Sequence, residues 1–481
     1  MLNVIEYYMG IVKLLIISVF VGLFLHPLSG QIKVSDDSDI LIINNIEFEG
    51  NKVTRENILL REMDFTAGDT IYKIELIPRI QRSRENLLNL RLFNFVEIEV
   101  EHFPESRIDV IVNVTERWYI WPTPIFEHGE RNLSEFLREP RWNRLNYGLW
   151  LKWNNFRGRN ELLQTKIRLG YKEQYVLQYE KPNLGLSEDH KIMLSYSLSR
   201  QRRINYRLFA NKPVFFQDEE EYSLSSGNAF FSYTYRPEIY SRHRFRLHYQ
   251  NDVISDKVEA LNPMFFGPGL KQLRYFRFDY VFRFDQRDSR VYPLEGNAFK
   301  VKLQRTGLEL IRDFEYKNWE LEGALFYHKE ITNRVYFANA FKGKISTLKD
   351  APYHFSNALG YSEFMTSYEY YVINGTDYFL NKFISKFEIV KPREFTIPYL
   401  KASQFNRVHY AIYLNLLADV GYVHQRVSDP SNFMANELQY SMGIGLDFVT
   451  YYDQVLRLEY SINRYGIAGF FVHVETPFFR W

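Results

Sequence analysis

Residues Leu438-Gln-Tyr-Ser-Met-Gly-Ile-Gly-Leu-Asp-Phe448 decide the fold. Every even position is apolar (Leu438, Tyr440, Met442, Ile444, Leu446, Phe448), and the odd ones hold Gln439, Ser441, Gly443, Gly445 and Asp447. Period two puts alternate side chains on opposite faces of a strand, so this stretch is a β-strand with one apolar and one polar face. The parity recurs nearby. Leu456, Leu458, Tyr460 and Ile462 alternate with Arg457, Glu459, Ser461 and Asn463, and Phe276, Phe278, Tyr280, Phe282 and Phe284 alternate with Arg277, Asp279, Arg283 and Asp285.

A soluble sandwich would alternate in the same way, so the solvent has to be read from composition. The 481 residues include 40 Phe, 36 Tyr and 7 Trp, while charged residues make up 25%. A mean hydropathy of -0.34 argues against a bundle of membrane-spanning helices. The apolar faces are loaded with aromatics, the polar faces carry charges of both signs, and residues 119–481 contain no evident helix to cover the sheet. An uncovered sheet of this length must close on itself to avoid open edges, and closure in lipid also satisfies every backbone group. The expected fold is therefore mainly β, a sixteen-stranded antiparallel transmembrane β-barrel with an apolar outside and a wet interior. Its strands are expected at about 119–130, 144–154, 161–172, 174–181, 191–205, 222–236, 243–254, 273–285, 297–308, 317–331, 334–346, 378–390, 407–423, 438–452, 455–464 and 467–478. An even count returns both ends of the barrel to the same side of the membrane.

The residues before the barrel divide into three. Leu14 to Leu25 is apolar, follows Lys13 and ends near Ser29 and Gly30, which fits a secretory signal peptide over 1–30, with Met9 as an alternative initiator. A linker covers 31–39. Residues 40–118 read as a small α+β domain of order β-α-α-β-β. Ile42 to Phe48 is strand-like, Thr54 is expected to N-cap a short helix through Met63, and Ile77, Ile80, Leu87 and Leu90 are expected to line one face of a second helix. Val96, Ile98 and Val100, then Ile108, Val110, Val112 and Val114, mark two alternating strands. Cysteine is absent, which excludes disulfides, thiolate metal sites and cysteine nucleophiles. The 60 basic and 58 acidic residues nearly cancel, so no footprint for nucleic acid stands out.

The domain order, with Phe48-Glu-Gly-Asn51 closing its first strand, resembles a POTRA domain, the periplasmic module of outer-membrane assembly factors. One such domain, sixteen strands and a long connection at 347–377 together resemble the BamA/TamA superfamily of outer-membrane assembly factors and translocators. Tyr368-Glu-Tyr-Tyr-Val-Ile-Asn-Gly375, Ala418-Asp-Val-Gly421 and Gly443-Ile-Gly-Leu-Asp447 are similar to family strings in the long loop and the two strands after it. The resemblance implies a non-enzymatic factor without cofactors, in the bacterial outer membrane with its small domain in the periplasm. It would act on unfolded outer-membrane or secreted β-rich polypeptides, in contact with outer-membrane lipid and with periplasmic or lipoprotein accessory subunits. A two-partner secretion pore and a passive porin or structural barrel are the alternatives. The first normally carries two POTRA domains, for which 31–39 leaves no room, and a porin does not need the domain at 40–118.

Three sets of residues carry the functional expectation. Where the family places Val/Leu-Arg-Gly-Tyr/Phe, this sequence has Met365, Thr366, Ser367 and Tyr368. A threonine cannot make the bidentate charged contact of an arginine, so either Tyr368 and its neighbours hold the loop or the activity is altered. The barrel interior is expected to hold Asp279, Asp285, Asp447, Arg457 and Glu459, with the carboxylates paired to Arg277, Arg283 or Arg457. A lateral seam is expected between the first strand, with Pro122 and Pro124, and the last, with Phe470, Val472, Val474 and Phe478 in the lipid-facing phase. No nucleophile elbow, zinc pair or other local catalytic signature is present.

Overall fold

A computed structural model describes residues 40–103, 106–128, 145–182, 189–310, 316–348, 351–396, 399, 407–450 and 454–474. The expected signal peptide, the linker and Phe478 lie outside these residues.

The small domain is built from β1 (Ile40–Glu49), α1 (Glu56–Leu60), β2 (Thr70–Tyr72), α2 (Lys73–Asn89), β3 (Phe93–Phe103) and β4 (Arg107–Glu116). Its sheet runs β2-β1-β4-β3, with β1 parallel to β4 and the other neighbours antiparallel. Leu41, Ile43, Ile108, Val110, Val112 and Val96 point from the sheet into a core closed by Leu59 and Leu87 of the helices.

Three expectations are corrected in this domain. The three-residue β2 adds a strand, too short to show periodicity. Thr54 is not the helix cap: α1 starts after Arg55 without a side-chain cap, because the Thr54 hydroxyl donates instead to Glu116 Oε1 at 2.5 Å. Ile77 does not share the buried face. Ten residues at 100° each leave it about 80° from Leu87, whereas Leu76, eleven back, falls within about 20°. Leu76, Ile80 and Leu90 accordingly pack on the core around Leu87, and Ile77 stays 77% exposed.

The barrel sheet has sixteen strands, all antiparallel to their neighbours: β5 (Ile120–His128), β6 (Leu145–Phe156), β7 (Glu161–Gly170), β8 (Lys172–Pro182), β9 (His190–Gln201), β12 (Leu224–Tyr235), β13 (Ser241–Ile254), β14 (Gln272–Asp285), β15 (Gly296–Thr306), β16 (Asn318–Thr332), β17 (Val335–Ser346), β20 (Asp377–Thr396), β21 (Arg407–His424), β22 (Gln439–Thr450), β23 (Gln454–Asn463) and β24 (Ala468–Val474). Two elements stand outside it. A hairpin of β10 (Arg203–Phe209) and β11 (Lys212–Gln217) caps the outer end, and the short pair β18 (Asn357–Leu359) and β19 (Ile373–Asn374) lies within the long loop. A helix, α3 (Asp256–Leu261), follows β13. Among the described residues no helix is long and apolar enough to cross a membrane.

Parity holds around the sheet. Leu438, Tyr440, Met442 and Ile444 are exposed on the outside, while Gln439, Ser441 and Asp447 are buried inside. The interior is not an open lumen. Residues 351–376 fold back into it, and the wall beneath them is lined by Ala324, Ala338 and Ala340, whose small side chains leave space for Leu359, Met365, Tyr368 and Ile373.

Candidate functional site: loop, seam and periplasmic junction

The four residues at the long-loop motif position lie inside the barrel. Met365 is buried beside Gly421 of β21, where an added Cβ would meet the methionine sulfur at 2.7 Å. Thr366 reaches the wall through its backbone: its N–H donates to Asp419 Oδ2 at 2.8 Å, and Lys382 of β20 lies 3.4 Å from the same carboxylate. Ser367 adopts a left-handed φ of 65°. Its hydroxyl donates to the Ile467 carbonyl at 3.1 Å and its carbonyl accepts from Asn463 at 3.0 Å. The Tyr368 hydroxyl reaches Gln439 Oε1 at 3.1 Å and the Tyr440 carbonyl at 3.2 Å. The loop thus holds to β21, β22, β23 and the turn at Ile467 through backbone groups and uncharged side chains of its own, with the Asp419 carboxylate as the one charged acceptor.

Further loop anchors had no clear local signal in the sequence. Glu363 is buried in the loop against Lys342 of β17 at 2.5 Å. At the outer end, Asn211 at the tip of the β10–β11 hairpin donates to the Val372 carbonyl at 3.0 Å and to Asn432 Oδ1 at 2.8 Å. Asn432 in turn donates to the Asn374 carbonyl at 2.8 Å. Asn211 sits at φ 56°, a left-handed turn that asparagine tolerates. The alternation of Ile204, Tyr206 and Leu208 was the available signal for that hairpin.

Glu369 joins the loop to the last two strands. His473 of β24 lies 3.6 Å from Glu369 and 3.9 Å from Glu459 of β23. Among the described residues this is the group of histidine and carboxylates close enough to share a cation, with ligand atoms within 4.8 Å of one another. Burial, with the nearby Glu459 charge adding to it, pushes the Glu369 carboxyl up from 4.5 to about 8.

The interior charges expected from parity are all buried on the inner face. Asp447 accepts two bonds from Arg457, at 2.6 and 2.7 Å, and a third from the Tyr292 hydroxyl at 2.9 Å. Asp285 pairs with Arg283 at 2.5 Å and Arg287 at 2.8 Å. Asp279 meets Arg277, Arg246 and His248 within 3.5 Å, and Glu459 accepts from Ser461 at 2.9 Å.

At the seam, β5 and β24 are the two ends of the sheet order, and no ladder joins them among the described residues. The Tyr119 carbonyl accepts from Asn154 on the β6 side at 2.8 Å. Successive residues of a strand point their backbone groups to opposite edges, so Pro122 and Pro124 direct theirs toward the seam. Two donors are thereby removed from that edge. Across from it, Phe470 and Val472 face lipid at 63% and 56% exposure, while Phe471 is buried inside. Val474 closes β24.

The small domain is fastened under the barrel close to this seam. Asn155 of β6 donates to the Thr54 hydroxyl at 2.8 Å and Tyr119 donates to the Leu92 carbonyl at 3.0 Å, while Glu116, within the domain, fixes Thr54 by accepting from its N–H at 2.6 Å. Burial pushes the Tyr119 hydroxyl well above its ordinary value, so it stays a protonated donor. Farther round the rim, Arg236 forks onto Glu62 at 2.5 and 2.9 Å, and Arg61 reaches Asp189 at 3.3 Å.

Residues 41–117 match the family described as POTRA, surface antigen variable number repeat, and residues 155–462 match the Omp85 superfamily domain. Among solved structures, CdiB from Escherichia coli is similar over 91% of this chain and 74% of its own, at 10% identity and a TM-score of 0.53. BamA from Haemophilus ducreyi lacking POTRA domains 1–3 is similar over 90% and 83%, at 14% identity and a TM-score of 0.49. No curated protein matches the sequence.

Proposed function

This chain belongs to the Omp85 superfamily, and from that premise we propose that it is an outer-membrane assembly, insertion or translocation factor, not an enzyme, for β-rich client chains. Residues 119–481 form its barrel in the bacterial outer membrane, and residues 40–118 its periplasmic domain. The carrying observation is the seam: β5 and β24 end the sheet without a ladder between them among the described residues, and Pro122 and Pro124 strip donors from the edge of β5. An edge that pairs poorly with its own partner is the one that opens most readily to an incoming strand. The outer edge of the small domain, β3, offers a second row of backbone groups for the same client. Two-partner secretion by the same barrel is the second reading, supported by the likeness of fold to CdiB.

The chain has no cysteine, which makes the seam directly testable. Phe126→Cys, on the lipid face of β5, is combined in turn with Ala468→Cys, Phe470→Cys and Val472→Cys on the lipid face of β24, and disulfide formation selects the pair in register. In cells depleted of the wild-type chain, the oxidised pair should deplete specific β-barrel proteins from the outer-membrane proteome, and reduction should restore them. A locked seam that supports a normal proteome would refute lateral opening. Loss of a single secreted protein with an unchanged membrane proteome would favour the secretion reading.

A further inference from the structure

We propose that the junction between the small domain and the inner rim of the barrel is a binding site for a phosphate-bearing anion, centred on Arg242. Two adjoining cavities of about 240 and 480 Å³ lie there, and both are lined by Glu62, Leu90, Arg236 and Arg242. Counting each lining residue once, eleven arginines and lysines face five carboxylates.

Four of those carboxylates are already paired with a cation, and the fifth, Glu85 of α2, accepts from Gln81 Nε2 at 2.7 Å. Glu62 is forked by Arg236. Asp285 takes Arg283 and Arg287, with Arg290 at 3.8 Å. Glu180 takes Lys191 at 2.6 Å, and Asp189 takes Arg61 at 3.3 Å. Arg242 is left over. It is half-buried, stands first in the inward row Arg242, Arg244, Arg246 of β13, and faces Arg283 directly across the β13–β14 ladder. Like charges opposite each other destabilise a sheet, and a guanidinium withdrawn from water without an anion is costly. A fold carries such a conflict where a ligand resolves it.

The chemistry of the lining selects the ligand class. Guanidinium groups present planar forks of donors that match phosphate oxygens two at a time. Asn86 and Asn89 at the end of α2 add neutral polar groups to the smaller cavity. The net positive lining calls for more than one negative charge, as a diphosphate or a phosphate ester supplies. A free phosphate compound and the headgroup of an anionic lipid share this chemistry. The proposal stands apart from the seam and does not depend on it.

The test uses the purified full chain in neutral detergent, titrated with sodium pyrophosphate at constant ionic strength, with calorimetry and phosphorus NMR line width as readouts. Saturable binding is expected, weakened at least tenfold in Arg242→Gln, partly kept in Arg242→Lys and unchanged in Lys317→Gln on the outer surface. Without ligand, Arg242→Gln should melt at a higher temperature than the wild type, since it removes an unpaired charge. An arginine with a purely structural role would shift melting the other way. A parallel arm in nanodiscs compares cardiolipin, which carries two phosphates, with phosphatidylcholine: stabilisation by the former that requires Arg242 assigns a lipid headgroup, and its absence beside pyrophosphate binding assigns a free phosphate compound. No Arg242-dependent binding of either probe would overturn the proposal. So would Arg242-dependent binding of a glutamate-rich peptide alone, which would make the cavity a peptide site.

Discussion

Ile444→Arg measures the lipid-facing assignment directly. Ile444 lies near the middle of β22, with Leu416 on one side of the ladder and Tyr460 on the other, all three exposed outward. An arginine at the bilayer midplane of a barrel costs about 2 to 4 kcal/mol. At about 1.4 kcal/mol per factor of ten, the folding equilibrium falls roughly 30-fold to nearly a thousandfold. The control is the next residue. Gly445 points inward, and a Cβ added there meets Leu417 and Arg457 at 3.5 to 3.7 Å, ordinary contact distances. Gly445→Ser should therefore fold nearly as well as the wild type. Urea titration in liposomes, read by heat-modifiable migration on gels, reports both variants. Equal damage from the two, or greater damage from Gly445→Ser, would refute the assignment of faces.

Asp447→Asn should cost about 3 to 5 kcal/mol in the same titration, because it leaves Arg457 buried without its counter-charge, whereas replacing both partners with apolar residues of similar volume should cost far less. The long loop should be held more weakly as pH rises. Glu369 is lifted to about 8, so its contribution to docking is complete below its ordinary value of 4.5 and is lost as pH climbs through about 8. Protease protection of residues 347–377 should fall between pH 6 and pH 9 in the wild type and stay level in Glu369→Gln. Ser367→Gly should leave loop protection nearly unchanged, since glycine suits the left-handed φ of 65°, which offsets loss of the hydroxyl bond to the Ile467 carbonyl, and the backbone bond from Asn463 remains. Thr366→Arg combined with it should strengthen protection or leave it unchanged, and greater cleavage would show that the loop does not tolerate the charge.

The barrel was legible because lipid outside and polar groups inside impose period two on every strand, so Leu438–Phe448 announced its own register and the inward parity of Asp447 and Glu459 followed from it. What sequence reading missed depends on distant partners. Thr54 has the composition of a helix cap, but Glu116 claims its hydroxyl from 62 residues away. Ile77 was a local misreading: helix geometry alone sets it about 80° from Leu87, and the stripe through Leu76 and Leu87 is the one that packs on the sheet. Met365 to Tyr368 could be placed in the loop, yet their partners were not readable, because four of the contacts run through backbone atoms that any sequence supplies. Arg242 was invisible for the same reason: its inward parity could be read, but not that Glu62, Asp285, Glu180 and Asp189 are held by other cations.

The clasp of Asn211 on Val372 and Asn432 also has an electrical meaning. A sixteen-stranded wall would pass ions freely if its bore were clear, yet here the outer mouth is bridged by a hairpin tip and the space beneath it is packed with loop. Conductance is then limited by the seated loop, held by that clasp at the mouth and by Glu363, Thr366, Ser367 and Tyr368 within, and not by the number of strands. In a planar bilayer the chain is a resistor whose value changes with the seating of one loop, and single-channel current becomes a clock for how often residues 351–376 leave the wall.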